Sequence, residues 1–61
     1  SSVRLAILSL PVLYRDVLIL RFLEEKSYEE IVDIIKKPKG TVATLIRRGR
    51  ALLLTEFERL H

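Results

Sequence analysis

The stretch from Pro38 to Ala51, PKGTVATLIRRGRA, decides how this chain is read. Pro38-Lys39-Gly40 forms a turn, Thr41 supplies a hydroxyl suited to opening a helix, and a long helical pattern follows. Arg47, Arg48 and Arg50 sit just inside that pattern. The segment from Lys36 to Arg50 holds six of the eleven Lys and Arg residues and no acid. The remainder carries five bases against eight acids and is net acidic. This asymmetry gives the molecule one face for a polyanion, with nucleic acid the first expectation.

The helix that opens here is expected from Gly40 or Thr41 to Leu60. Val42, Ile46, Gly49, Leu53, Phe57 and Leu60 recur at spacings of three and four, which at about 100° per residue makes one narrow apolar stripe. Glycine in mid-helix costs roughly 1 kcal/mol relative to alanine, so Gly49 implies another helix passing close by. The opposite side carries Thr41, Thr44, Arg47, Arg48 and Ala51, a polar and basic face without bulk in its first turns. Leu45 and Leu52 flank the stripe on one side and Leu54 on the other. They either widen the core or mark a protein interface.

Three shorter helices are expected upstream. Ser1 to Leu8 reads as the first, with Ser2 as cap and Val3, Leu5, Ile7 and Leu8 as apolar contacts. Pro11 closes it and opens the second, because proline disfavours helical geometry in the residue before it yet suits a first turn. The second runs to about Leu23. Leu13, Val17 and Leu20 form its expected core row, Tyr14, Leu18 and Phe22 a second row, and Val12, Ile19 and Leu23 another side. Only Arg15, Asp16 and Arg21 interrupt the apolar circumference, so this helix is central and also presents a docking side. Glu24-Glu25-Lys26 is a connecting turn. Ser27-Tyr28-Glu29-Glu30 is a capping-box pattern that starts the third helix, and Ile31, Ile34 and Ile35 give it a stripe. It stops near Lys36 or Lys37.

The chain has 61 residues, which is one small domain. Such a chain buries only about 60% of its unfolded surface, which leaves no room for a deep catalytic cavity. Hydrophobic residues make up 49%, which excludes a disordered chain and hints at a face awaiting a partner. There is no Cys, so neither disulfides nor a zinc-thiolate site is available. The longest uncharged run, Leu5 to Tyr14, is too short to span a bilayer, and no signal-peptide pattern is present. There is no Met, which suggests a domain cut from a longer chain.

No catalytic constellation can be assembled. Neighbouring acids do not share a helix face, so Glu24-Glu25 and Glu29-Glu30 read as solvated or capping residues. Ser27 has no His or Lys partner, and His61 stands alone at the end of the chain. Tyr14, Tyr28, Phe22 and Phe57 read as core or rim. No enzyme activity, cofactor, metal or small-molecule substrate is expected.

The fold class is therefore all-α: a compact four-helix domain in which Ile31 to Leu45 reads as helix, short turn, helix. That is a helix-turn-helix with a long C-terminal recognition helix, whose N-terminal turns enter the major groove. Lys36, Lys37 and Lys39 are candidates for phosphate contacts, which give affinity without sequence choice. Thr41 suits a cap or a phosphate contact at the helix start. Thr44 and one of Arg47 or Arg48 are candidates for base edges, arginine at guanine. Arg50 lies nearer the stripe, where an acid is its expected partner.

Leu10-Pro11, Arg15, Val17-Leu18, Leu20-Arg21, Glu24, Ser27-Tyr28-Glu29-Glu30-Ile31, Pro38, Gly40-Thr41-Val42 and Arg48-x-Arg50 resemble the region 4 domain of bacterial sigma factors, most nearly the extracytoplasmic-function class. The resemblance runs from about Leu8 to Leu54. It implies a last helix that binds the −35 element of double-stranded promoter DNA. It further implies an apolar surface, mainly on the earlier helices, that docks on the β-subunit flap of RNA polymerase, with anti-sigma factors commonly covering either surface. Carried over by position, the DNA contacts are Thr41, Ala43, Thr44, Arg47 and Arg48; Lys39 joins them as a phosphate candidate, and Val12, Ile19 and Leu23, the remaining apolar side of the second helix, are the candidate partner surface. A cytoplasmic protein with no membrane partner follows.

The chain departs from the family pattern at several positions. Lys or Arg is usual where Ala43 stands, Ser where Thr44 stands, and Arg where Leu45 stands. Lys39 replaces a common apolar residue, and Arg47 is an added base. The turn usually read as Glu-Gly-Leu is Glu24-Glu25-Lys26, without its glycine. Two other readings stay open. One is a sigma-like mimic that occupies an anti-sigma factor with weak or no DNA binding, motivated by Ala43 and Leu45. The other is a helix-turn-helix reader of the response-regulator type.

Overall fold

A computed structural model describes residues 2–60, and side chains for residues 2–59. The readings placed on Ser1, the Leu60 side chain and His61 lie outside the described residues. Four α-helices follow in order: α1 (Ser2–Leu8), α2 (Val12–Leu18), α3 (Tyr28–Ile35) and α4 (Lys39–Leu60). The C-terminal end of α2 continues as a π-helical segment, Ile19–Leu23. At about 1.5 Å per residue, the 22 residues of α4 match the 34 Å long axis of the molecule. All three shorter helices pack along α4, and α2 makes its most extensive contact.

Ala6, Ile7, Leu10, Val17, Leu18, Ile31, Val42 and Ile46 form the buried core. The α4 stripe is as periodicity requires: Val42, Ile46 and Gly49 are buried, and Leu53 and Phe57 partly so. Gly49 has the physical cause expected of it. A Cβ there would meet Leu18 Cγ and Cδ1 at 3.3 Å, so the fully buried Leu18 would have to give by a few tenths of an ångström. The centre of α2 is thus Val17 and Leu18. Leu13, expected on the core row, is 45% exposed, and Ile34 of α3 is 51% exposed. Leu45 packs on the core and so widens it, whereas Leu52 and Leu54 remain on the surface.

The start of each helix is set by local chemistry. Pro11 occupies the cap position of α2, and its carbonyl accepts from Arg15 N at 2.9 Å. The capping box of α3 is complete: Glu30 N donates to Ser27 Oγ at 3.1 Å, and Ser27 N donates to Glu30 Oε1 at 2.8 Å. These Ser27 contacts hold the Glu30 carboxyl below its usual range. Two cap assignments are corrected. Ser2 is the first residue of α1, not the residue before it. Thr41 is not the cap of α4, because that helix begins at Lys39 and the Pro38 carbonyl accepts from Val42 N at 3.0 Å.

The α2–α3 connection shows how the chain turns without glycine. Glu24 N donates to Ile19 O at 3.0 Å, the five-residue spacing of a π turn, and Lys26 N reaches Leu20 O at 2.9 Å. Glu25 between them adopts φ 56°, the left-handed region that disfavours a side chain. Glu25→Gly is therefore expected to stabilise the domain by about 1 kcal/mol. Thermal denaturation would read this as a rise of roughly 4–8 °C.

Candidate nucleic-acid interface

The α3–turn–α4 unit is built from Lys36, Lys37 and Pro38. Lys36 ends α3 at φ 59°, and its N–H donates to Val32 O at 2.9 Å. This left-handed residue reverses the chain where glycine usually does so, and proline then stops α3 from continuing. The result projects one side of α4 away from the core.

On that side Thr41, Arg47, Arg48 and Ala51 are exposed, and Ala43 and Thr44 are half-buried. At 100° per residue, Arg47 and Arg48 leave α4 on opposite sides of the line through Thr44 and Ala51. Neither guanidinium has a hydrogen bond or ion pair among the described residues. Two cations held in water without a protein partner are available to phosphate or a base edge at little desolvation cost. Ala43 also lines a shallow cleft of about 470 Å³ with Tyr28, Arg47 and Arg50.

Three nearby cations, Arg50, Arg21 and Lys39, are engaged. Arg50 was expected to find an acid; instead its guanidinium lies 5.6 Å from the Phe22 ring centre, where the ring face attracts it. Arg21 stacks on Tyr28 at 5.4 Å and donates to Lys26 O at 3.1 Å, bracing the π turn against α3. Lys39 Nζ donates to Glu29 Oε2 at 2.8 Å across the helix-turn-helix, with both side chains well exposed. The hydrogen bond from Lys39 holds the Glu29 carboxyl below its usual range, and the same bond raises the Lys39 ammonium. Neither partner was legible as a pair, because the contact joins residues on two helices.

A family model described as Sigma-70, region 4 matches residues 1–53. The chain belongs to the sigma-70 region 4 family. Region 4 binds the −35 promoter element and is not an enzyme, and the resemblance read from the sequence is correct. The chain is also similar to the ECF RNA polymerase sigma factor SigW of Bacillus subtilis (strain 168), at 40% identity over 60 residues. That alignment covers 98% of this chain and 32% of that protein, so the chain spans about a third of its relative's length. No solved structure matches. Among the described residues no helix is long and apolar enough to cross a membrane.

The apolar surface of this region 4 domain is divided. Ile19 lines an open groove with Leu13, Leu20, Ile34 and Ile35 between α2 and α3. Val12 and Leu23, placed beside it by periodicity, are 57% and 40% exposed but do not line that groove. The π segment adds a residue to the turn after Leu18, which shifts everything beyond it from the 3.6-residue pattern. A larger groove, about 610 Å³, lies between α1 and the second half of α4, lined by Val3, Phe22, Leu54 and Phe57 among others. Leu54 was the sequence signal for it, since it flanks the apolar stripe of α4 on the side away from Leu45 and Leu52.

Glu29 already holds Lys39, so any phosphate that took this ammonium would have to displace it. Glu29→Gln is expected to tighten binding to a −35-like duplex several-fold. It should also steepen the slope of log affinity against log salt by up to about 0.9, one further phosphate neutralised. Fluorescence anisotropy across a salt series measures both.

Proposed function

We propose that this chain is the −35-reading and polymerase-docking domain of a longer, cytoplasmic sigma factor and directs transcription initiation. The observation that carries this reading is the pair of exposed, unpartnered guanidiniums of Arg47 and Arg48 on the free side of α4. In this reading α4 lies in the major groove. Lys36, Lys37 and Lys39 hold the phosphates at the turn, Thr41 and Ala43 border the groove, and Thr44 with Arg47 or Arg48 meets base edges. The groove around Leu13, Ile19 and Ile34, with exposed Val12 and Leu23 nearby, is the proposed seat for the β-subunit flap of RNA polymerase or for an anti-sigma factor.

A second reading is favoured by the neutral residues at Ala43 and Leu45: a sigma-like mimic that occupies an anti-sigma factor and leaves DNA alone. Leu45 bears on this only weakly, because its side chain packs against the core. Equilibrium binding to a −35-like duplex and to a scrambled duplex, each over rising salt, separates the two readings. The leading reading requires preference for the first duplex and a steep salt response. Absence of binding at low salt, together with capture of an anti-sigma factor, would establish the mimic instead.

A further inference from the structure

The arginines of α4 begin two turns inside the helix, and what precedes them is chemically uniform. From Lys39 to Ile46 the only charged residue is Lys39, and its ammonium is held by Glu29 at 2.8 Å. Between them Thr41 is exposed and Ala43 and Thr44 are half-buried, and each of the three carries a methyl group. The Thr41 and Thr44 hydroxyls have no partner among the described residues, whereas Thr55 further along α4 donates to Ala51 O at 3.2 Å. Neither threonine nor alanine can make the two-pronged donation that guanine O6 and N7 accept, and Lys39, which could, is held by Glu29.

We propose that the leading turns of α4 recognise thymine C5-methyl groups, so that Thr41 and Thr44, which share the Arg48 side of the helix, select A·T pairs where it first enters the major groove. This rests on the reading of α4 as the DNA-reading helix. Thymine alone among the four bases presents a methyl there, and alanine or a threonine methyl is its apolar complement. The free threonine hydroxyl meets a neighbouring acceptor or donor equally well and adds affinity without overriding that choice. Helical side chains lean toward the N-terminus and residues four apart share a face, so Arg48 reaches back beside Thr44. Its guanidinium then serves the adjoining guanine or phosphate. The preferred site is a thymine step bordered by the arginine-read position, not a run of guanines.

The experiment selects preferred duplexes from a randomised pool with the 61-residue chain, then replaces each thymine of the winning site singly by deoxyuridine, which removes only the methyl. The expected result is A·T enrichment at the positions under the helix tip and a loss of about fourfold per critical methyl. Thr44→Val should keep that sensitivity and Thr44→Ser should lose it. Salt-dependent, sequence-selective binding that is indifferent to deoxyuridine, or selection of G·C at those positions, would overturn the methyl readout while leaving the DNA-binding assignment intact. Failure to bind any duplex at low salt would overturn both.

Discussion

The double variant Arg47→Ala/Arg48→Ala is expected to lose roughly 100-fold in affinity for a −35-like duplex, on the order of 3 kcal/mol. Its thermal stability should stay within about 0.5 kcal/mol of the parent. Both guanidiniums are exposed and neither is tied to another described residue, so removing them deletes nothing that holds the fold together. Among the described residues they are also the only arginines of α4 without a partner, since Arg50 is committed to Phe22 and Arg59 to Glu56. The single variants should divide the labour. The residue on phosphate, when removed, weakens every sequence alike and lowers the salt slope by about 0.9. The residue on a base edge, when removed, relaxes preference at one base pair and costs about 1–3 kcal/mol there. Binding isotherms for the four proteins on matched and scrambled duplexes distinguish these outcomes.

Leu18→Ala is expected to abolish the cooperative fold. Truncating a fully buried leucine costs about 2–5 kcal/mol, and a core in a chain of this size supplies only about 3–5 kcal/mol in all. Leu18 is also the residue against which Gly49 sits, so the two positions are coupled. Gly49→Ala gains up to about 1 kcal/mol of helix propensity but crowds a fully buried side chain that must give way, at about 1–3 kcal/mol. The net effect should be destabilising by about 1 kcal/mol. In a Leu18→Val background the space opens and Gly49→Ala should become neutral or stabilising. Denaturant melts of the four corners of this cycle would show a coupling on the order of 1 kcal/mol or more. Additive behaviour would mean that the close approach of α2 and α4 at this point has been misjudged.

What could be read from the residues was whatever depends on local or periodic chemistry. Ser27 and Glu30 lie within one turn, so their reciprocal capping is written in four consecutive letters. Gly49 in an otherwise apolar stripe has few explanations, and the close helix was the right one. The basic side of α4 followed from the same periodicity. Contacts between helices were not legible. Lys39 with Glu29, Arg50 with Phe22 and Ser9 with Glu56 join residues that only tertiary packing brings together. The π segment has no sequence signature, and its extra residue shifts Leu23 from the row that a uniform helix would have given it with Val12 and Ile19. The start of α4 was placed late because a hydroxyl at Thr41 looks like a cap. The helix is already under way at Lys39, with the Pro38 carbonyl accepting an ordinary helical bond from Val42 N, so Thr41 lies inside the first turn with its side chain on the surface.

The account stands or falls on which surface of the molecule meets DNA. Titrating the isotopically labelled chain with a −35-like duplex and following backbone amide shifts maps that surface residue by residue. The changes should centre on Lys36 to Arg48, strongest at Thr41, Thr44, Arg47 and Arg48, with Val3, Ile7 and Leu54 on the far groove unmoved. Shifts confined to α1 and the second half of α4, with Thr44 and Arg48 unaffected at saturation, would contradict it.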